Sequence, residues 1–214
     1  MADFRGEPVL GLRERKKRRT RATLIDAAVG LCDRQGFDAT TVDQIAAIAE
    51  VSPRTFSRYF ATKDAIALAL IDEVLDSAAR ELLDQPRDIS NLEALRRAYV
   101  AMAGNTKLAS AGTLTSERML QILRIVMSSS TLRQAAVEYR ASKVDVIIAE
   151  RIGTDIEDRR VKLLSAVWGA VLITAMCDLA EKSALGIDID DVIRAFEDTY
   201  AEFAGEIAGI GQPV

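Results

Sequence analysis

The chain has 214 residues, with 28 Lys plus Arg against 32 Asp plus Glu, a net charge of −4, and no histidine. That absence excludes Ser-His-Asp and Cys-His nucleophile pairs, an imidazole general base and two-His zinc sites; an enzyme is not expected, and no cofactor or metal is implied. The length suits one large domain, or a small one joined to a larger one, burying roughly 70% of the unfolded surface.

Cys32 and Cys177 each fall within an apolar helical pattern with no CxxC partner, which reads as buried free thiols in a reducing cytoplasm. Met1–Gly11 lacks a basic segment followed by an apolar one, so a secretory signal is not expected. The longest charge-free run, Leu163–Cys177, is shorter than the roughly 20 apolar residues that cross a bilayer. It reads as a buried helix, and no membrane partner is expected.

Charge is unevenly spread. Residues 1–64 hold 12 basic against 9 acidic side chains, a net +3, whereas residues 65–214 hold 16 against 23, a net −7. Most of the basic excess is one run, Arg13, Arg15, Lys16, Lys17, Arg18, Arg19 and Arg21, opposed only by Glu14. Such a run is either a solvated tail or a nucleic-acid contact.

Apolar residues recur at helical spacing almost throughout and strand alternation is missing, which predicts an all-α fold. In chain order the spacing predicts about nine helices, at about 14–35, 42–49, 53–59, 63–84, 91–107, 115–127, 131–152, 155–184 and 189–208. Capping boxes are expected at Thr41 with Gln44, Ser90 with Glu93 and Thr154 with Glu157. Gln85-Pro86-Arg87 marks a break, because proline disfavours helix at the residue before it.

In the first helix Leu24, Ile25, Ala28, Leu31 and Cys32 form one apolar stripe, and Gly36 supplies a stop. Phe37 and the second helix, with Val42, Ile45, Ala46 and Ala49, give the stripe its partners. Glu50-Val51 makes a turn, Ser52 caps the third helix, and Pro53 takes its first position, where a missing N–H costs little. Two short helices braced by a longer one make a helix-turn-helix, whose second helix can enter the DNA major groove. Phe56 and Phe60 are four apart and face the core. The other side carries Ser52, Arg54, Thr55, Ser57 and Arg58; arginine can bridge guanine O6 and N7, and hydroxyls can serve bases or phosphates. Tyr59 is either a phosphate contact or a half-buried core aromatic, and Lys63 opens the next helix where it can share a phosphate with nearby amides.

The stretches Asp38-Ala39-Thr40-Thr41-Val42-Asp43-Gln44-Ile45-Ala46 and Val51-Ser52-Pro53-Arg54-Thr55-Phe56-Ser57-Arg58-Tyr59-Phe60-Ala61-Thr62-Lys63 closely resemble the DNA-binding domain of tetracycline-repressor-like (TetR-family) regulators. The resemblance spans residues 15 to 70; beyond them only helix number, length and order agree. It implies a DNA-binding domain over residues 1–62 with a basic arm, and a helical effector-binding and dimerisation domain over 63–214. The implied contacts are Thr41, Tyr59 and Lys63 to phosphates, and Ser52, Pro53, Arg54, Thr55 and Ser57 to bases or nearby backbone. Arg58 adds charge beside them, and the basic run from Arg13 to Arg21, with Arg18, Arg19 and Arg21 in it, is placed to meet flanking backbone or the minor groove. Two positions depart from the family pattern: Arg54 stands where members commonly have glycine, and Ser57 where they commonly have an aromatic.

From Leu163 to Ala180 the chain is apolar nearly all round, broken only by Ser165, Gly169, Thr174 and Asp178, so it must be buried on more than one side. The helix 189–208 is amphipathic, with Ile189, Val192, Ile193, Phe196, Tyr200, Phe203 and Ile207 on one stripe. The resemblance implies that these last two long helices form a homodimer interface. Candidate effector-binding residues are Tyr99, Met102, Met119, Leu120, Leu123, Met127, Trp168, Leu172 and Met176, since methionines and a tryptophan make adaptable apolar walls; the plain alternative for each is core. Asp188, Asp190 and Asp191 lack EF-hand spacing and read as helix-capping acids. Gly209-Ile210-Gly211 follows no strand, which rejects a dinucleotide fingerprint.

These readings converge on a cytoplasmic homodimeric regulator, a repressor that binds a palindromic operator in double-stranded DNA and leaves it when a small apolar or amphipathic effector binds. The helix from 63 to 84 would tilt and respace the two recognition helices. The rival is a DNA-binding regulator governed by a protein partner or by no effector; a solid or solvent-filled C-terminal core would favour it, and a closed apolar cavity would count against it.

Overall fold

A computed structural model describes residues 11–110, 113–139, 142–182 and 186–208. Expectations placed on residues 1–10 and on Gly209-Ile210-Gly211 lie outside the described residues. Among those described there are ten α-helices, one three-residue 3-10 turn and no strand. The chain divides into two compact units, Met1–Ala67 and Leu68–Val214.

The first unit holds α1 (Leu12–Gln35), α2 (Val42–Ile48), α3 (Pro53–Tyr59) and the opening of α4 (Lys63–Leu83). Gly36, at φ 80°, ends α1, and its N–H donates to the Cys32 carbonyl at 2.9 Å. Thr41 and Gln44 close the expected capping box on α2. Its other end is a Schellman closure: Val51 N–H donates to the Ala46 carbonyl at 2.9 Å and Glu50 N–H to the Ala47 carbonyl at 3.2 Å. That geometry puts Glu50 at φ 53°, the left-handed region, where an L side chain is crowded and glycine is the usual occupant. Leu24, Ala28, Ile45, Ala46 and Phe56 form the centre of the core, each almost fully buried.

The second unit comprises the rest of α4, α5 (Asn91–Asn105), the 3-10 turn Thr106–Leu108, α6 (Ser116–Met127), α7 (Ser130–Glu138), α8 (Lys143–Ile152), α9 (Arg159–Lys182) and α10 (Ile189–Ala208). α9 contacts α5, α6, α7, α8 and α10, and α10 also packs on α5.

Four expectations are corrected. The single helix expected at 131–152 is two, because Ser142 and Asp145, both buried, form a capping box that starts α8. Thr154 and Glu157 make no box: Thr154 N–H closes α8 by donating to the Ala149 carbonyl at 3.0 Å. Its hydroxyl donates to Asp158, which in turn accepts the Arg160 N–H and opens α9 at Arg159. Ser90 caps α5, but the Glu93 carboxylate goes to Arg96 and Arg97 instead of returning to Ser90; those guanidiniums hold its carboxyl down at about 2. Finally, Cys177 is half-buried, while Cys32 is buried as expected, and both are free thiols.

α9 also differs from its expected burial. Allowing the charged residues at its ends, Arg159–Ala180, 22 residues whose most apolar 18-residue window has mean hydropathy 1.9, is long and apolar enough to cross a membrane by length and composition alone. In the single chain only 22% of that apolar window is buried. Trp168, Val171, Ala175 and Met176 face inward, whereas Leu163 is 53% exposed and Ala170 and Thr174 are exposed.

The left-handed Glu50 generates a prediction. Relief of the Cβ crowding is worth about 1–2 kcal/mol, and glycine's extra unfolded-state freedom removes about 0.4–1 of that. Glu50→Gly is therefore expected to stabilise the protein by about 0.5–1 kcal/mol in urea denaturation; a loss of stability would show that the Glu50 side chain is itself a structural tie.

Candidate functional site

α3 is a two-faced helix. Phe56 and Phe60 are buried with ring centroids 5.8 Å apart, while Ser52, Pro53, Arg54, Ser57 and Arg58 are exposed and Thr55 and Tyr59 half-buried. The Ser52 hydroxyl caps the helix by accepting the Thr55 N–H at 3.1 Å and lies 3.0 Å from the Thr55 hydroxyl. Ser57 donates to the Pro53 carbonyl at 3.1 Å. Arg58 lies over the Tyr59 ring, its guanidinium carbon 5.4 Å from the centroid.

An open groove of about 850 Å³ runs along this helix, lined by Gly11, by Arg13, Glu14, Lys16, Lys17 and Thr20 of α1 and by Val51, Thr55, Arg58 and Tyr59, four cations against one acid. Beside it a second groove is lined by Arg15, Lys16, Arg19, Thr20 and Thr23 with Ala49 and Val51. Both are concave, cationic and hydroxyl-bearing. Such surfaces suit phosphate oxygens, which take charge from Lys and Arg and hydrogen bonds from hydroxyls.

In the second unit an apolar cavity of about 160 Å³ lies among the helices. α4 lines it with Ile71, Val74 and Leu75, α5 with Tyr99 and Met102, α6 with Met119, Ile122, Leu123, Val126 and Met127, α9 with Leu172, Ile173 and Met176, and α10 with Phe196. An adjoining pocket of about 60 Å³ shares Leu75, Tyr99, Ala136, Gly169 and Leu172 with it and adds Trp168, Asp145, Ser142, Ser165 and Tyr139. Trp168 packs edge-on against Tyr99 at 5.2 Å, and its indole Nε1–H is buried without a hydrogen-bond partner, a state that costs about 1–3 kcal/mol. Burial pushes the Tyr99 hydroxyl's acidity far to the weak side, and the neighbouring Trp168 N–H offsets this only in part.

Residues 24–70 match the family described as bacterial regulatory proteins, tetR family. Over 168 residues the chain is 35% identical to the HTH-type transcriptional regulator TcmR of Streptomyces glaucescens, covering 75% of this chain and 73% of that one. The chain belongs to the tetR family. Its relatives are transcriptional regulators, and a helix-turn-helix head followed by a helical body is the tetR-family fold. Two solved structures share that fold: SmeT, repressor of the Stenotrophomonas maltophilia multidrug efflux pump SmeDEF (TM-score 0.53, 19% identity, 85% of this chain and 89% of that one), and Thermus thermophilus FadR in complex with lauroyl-CoA (TM-score 0.53, 20% identity, 91% and 98%).

Within this tetR-family head the structure gathers Thr55, Arg58 and Tyr59 around one groove and leaves Arg54 and Ser57 exposed on the same short helix. Thr41 sits exposed at the cap of α2. Three of the residues named as contacts also have a partner within the head. Lys63 points inward, its ammonium donating to the Phe37 carbonyl at 2.9 Å and lying 4.3 Å from the Phe37 ring centroid, so it ties the loop between α1 and α2. Arg21 stacks over Phe60 at 5.2 Å, and Arg18 lies 4.0 Å from Glu14. Of Arg18, Arg19 and Arg21, Arg19 lines the second groove, together with Arg15 and Lys16 of the same run. The face toward α3 is Arg13, Lys16, Lys17 and Thr20, a spacing of i, i+3, i+4 and i+7; because α1 already begins at Leu12, helical periodicity applied to the basic run would have found it.

In the cavity Tyr99, Met102, Met119, Leu123, Met127, Leu172 and Met176 line the wall as expected, and Trp168 lines the adjoining pocket. Leu120 lines neither; Met119, Ile122, Leu123 and Val126 occupy the inward face of α6, and Leu120 falls one residue round it, half-exposed. Phe56→Ala is expected to destabilise the protein by about 3–5 kcal/mol through core loss. Urea denaturation showing full stability would refute the facing of α3.

Proposed function

We propose that this tetR-family regulator is a cytoplasmic homodimeric repressor that holds a palindromic operator through two copies of α3 and releases it when a small apolar or amphipathic effector enters the cavity of the second unit. The observation that carries the reading is that α4 is a wall of that cavity. Ile71, Val74 and Leu75 line it, while the neighbouring acids of the same helix are gripped by the other walls. Arg118 of α6 bonds Glu73 with Nε and Nη2, at 3.1–3.3 Å. The Tyr139 hydroxyl donates to Asp72 at 2.7 Å, and Lys143 of α8 to Asp76 at 2.5 Å. Burial and the Asp72 carboxylate push the Tyr139 hydroxyl up to about 12, so it remains a donor at any physiological pH.

A filled cavity displaces α4 against these ties, and α4 begins at Lys63, whose ammonium holds the loop leading to α2. A conformational coupling of about 1–3 kcal/mol weakens operator affinity roughly 5- to 150-fold. The rival governed by a protein partner alone leaves the cavity without a purpose.

Dimerisation is supported by the unburied apolar side of α9, with Leu163, Ala170 and Thr174, and by Ile207 on α10, 38% exposed. Two recognition helices must lie about 34–36 Å apart, or a multiple of it, to read two half-sites; sedimentation showing a monomer at micromolar concentration would remove this part of the proposal.

Arg54 is exposed on α3 at a position where a guanidinium can reach a base edge. Arg54→Ala is expected to lose about 1–3 kcal/mol of discrimination between operator and random DNA, with the fold intact, in fluorescence anisotropy. Equal weakening on both DNAs would make Arg54 a phosphate contact, and no effect on either would take α3 out of the interface.

A further inference from the structure

We infer that the pocket walled by Trp168 and Asp145 is the polar end of the effector site, and that it selects an uncharged molecule whose apolar body carries a hydrogen-bond acceptor oxygen, a ketone or hydroxyl, over both a plain hydrocarbon and a carboxylate. The inference rests on the effector reading above and adds the chemical class of the effector.

The first argument is the unpartnered donor. Trp168 is 4% exposed and its Nε1–H meets no acceptor, whereas buried polar groups in folded proteins are overwhelmingly paired. The indole walls a pocket of about 60 Å³ that is continuous in its lining with the apolar cavity. That volume exceeds the roughly 10–15 Å³ a single water needs, so the pocket has room for an acceptor oxygen beside the indole. An alkyl chain in this end leaves the donor unpaired, whereas an acceptor oxygen can pair it, which sets the site against unadorned hydrocarbon.

The second argument is the sign of the charge. The Asp145 carboxylate is 5% exposed; it accepts from the Ser142 N–H and hydroxyl, both at 2.9 Å, and from the Ser165 hydroxyl. None of the described residues lining this pocket is Lys or Arg. A ligand carboxylate here would face a buried like charge with no cation to offset it. A carbonyl or hydroxyl oxygen carries no such penalty, and a hydroxyl hydrogen could in addition be donated to this carboxylate.

The third argument is size. The main cavity of about 160 Å³ is close to an engineered void of about 150 Å³ that binds benzene, so a single six-membered ring is a fitting probe body. Cyclohexanone, methylcyclohexane and cyclohexanecarboxylate keep the ring and change only the group presented to Trp168.

The chain has one tryptophan and five methionines, which makes the experiment selective. Full-length protein labelled with 15N at the indole and 13C at the methionine methyls is titrated with each probe. Cyclohexanone is expected to move the Met119, Met127 and Met176 methyls and to shift the indole N–H proton downfield. Methylcyclohexane should move the methyls without that downfield shift, and cyclohexanecarboxylate should bind more weakly than the ketone. Trp168→Phe keeps the ring and removes the donor; it should weaken the ketone about three- to tenfold, the effect of one neutral hydrogen bond, and the hydrocarbon by less than about twofold. Methyl shifts with an unmoved indole resonance and equal affinities for ketone and hydrocarbon would overturn the polar end and leave the effector cavity standing. Unmoved methyls with every probe would remove the effector cavity itself, and the polar end with it.

Discussion

The reading head depends on the burial of one side of a seven-residue helix. α3 is too short to be stable alone, so its position is set by Phe56 and Phe60, each giving up about 1.5–3 kcal/mol of solvent-exposed apolar surface to the core. Pro53 and the Ser52 cap fix where the helix starts, and the Schellman closure at Glu50 fixes the angle at which the chain enters it. With that side committed, Arg54, Ser57 and Arg58 have no choice but to face outward. Arg21 over the Phe60 ring and Lys63 bound to the Phe37 carbonyl brace the aromatic core from its edge. The cations that line the groove along α3 lie one helical face along, at Arg13, Lys16 and Lys17.

How much of this was legible follows from the range of the interactions. Caps, stops and the Phe56/Phe60 face are local, and the three helices of the head were read from them almost to the residue. The break between α7 and α8 was missed because apolar spacing runs through it; the cue was Ser142 and Asp145 three apart, a capping-box spacing filled by an acid shorter than glutamate. In the cavity, Met119, Leu123 and Met127 repeat every four residues and were readable, whereas Leu120 is apolar on the adjoining face and could not be told from them. Ile71, Val74 and Leu75 were missed because nothing in α4's own sequence says that another helix leaves a void beside it. Long-range facts of this kind, like the inward turn of Lys63, depend on tertiary packing and leave no periodic trace.

The second unit combines an apolar void with polar ties on one helix. Ile71, Val74 and Leu75 look into the cavity, and Asp72, Glu73 and Asp76 are held by Tyr139, Arg118 and Lys143. An occupant that pushes on the first set strains the second. The absence of histidine bears on the same point: an imidazole switch near neutral pH is excluded, which leaves a ligand, a partner or some other group as the trigger.

The net charge of −4 is the sum of a basic head and an acidic body, and the account stands or falls on whether the head uses its charge on phosphates. The direct measurement is the affinity of the full-length protein for promoter DNA across a salt series. If a dimer neutralises about six to ten phosphates, log affinity falls against log salt with a slope of about −5 to −9, and a specific fragment stays preferred over random DNA throughout. A flat dependence, or no preference for any promoter fragment, would contradict it.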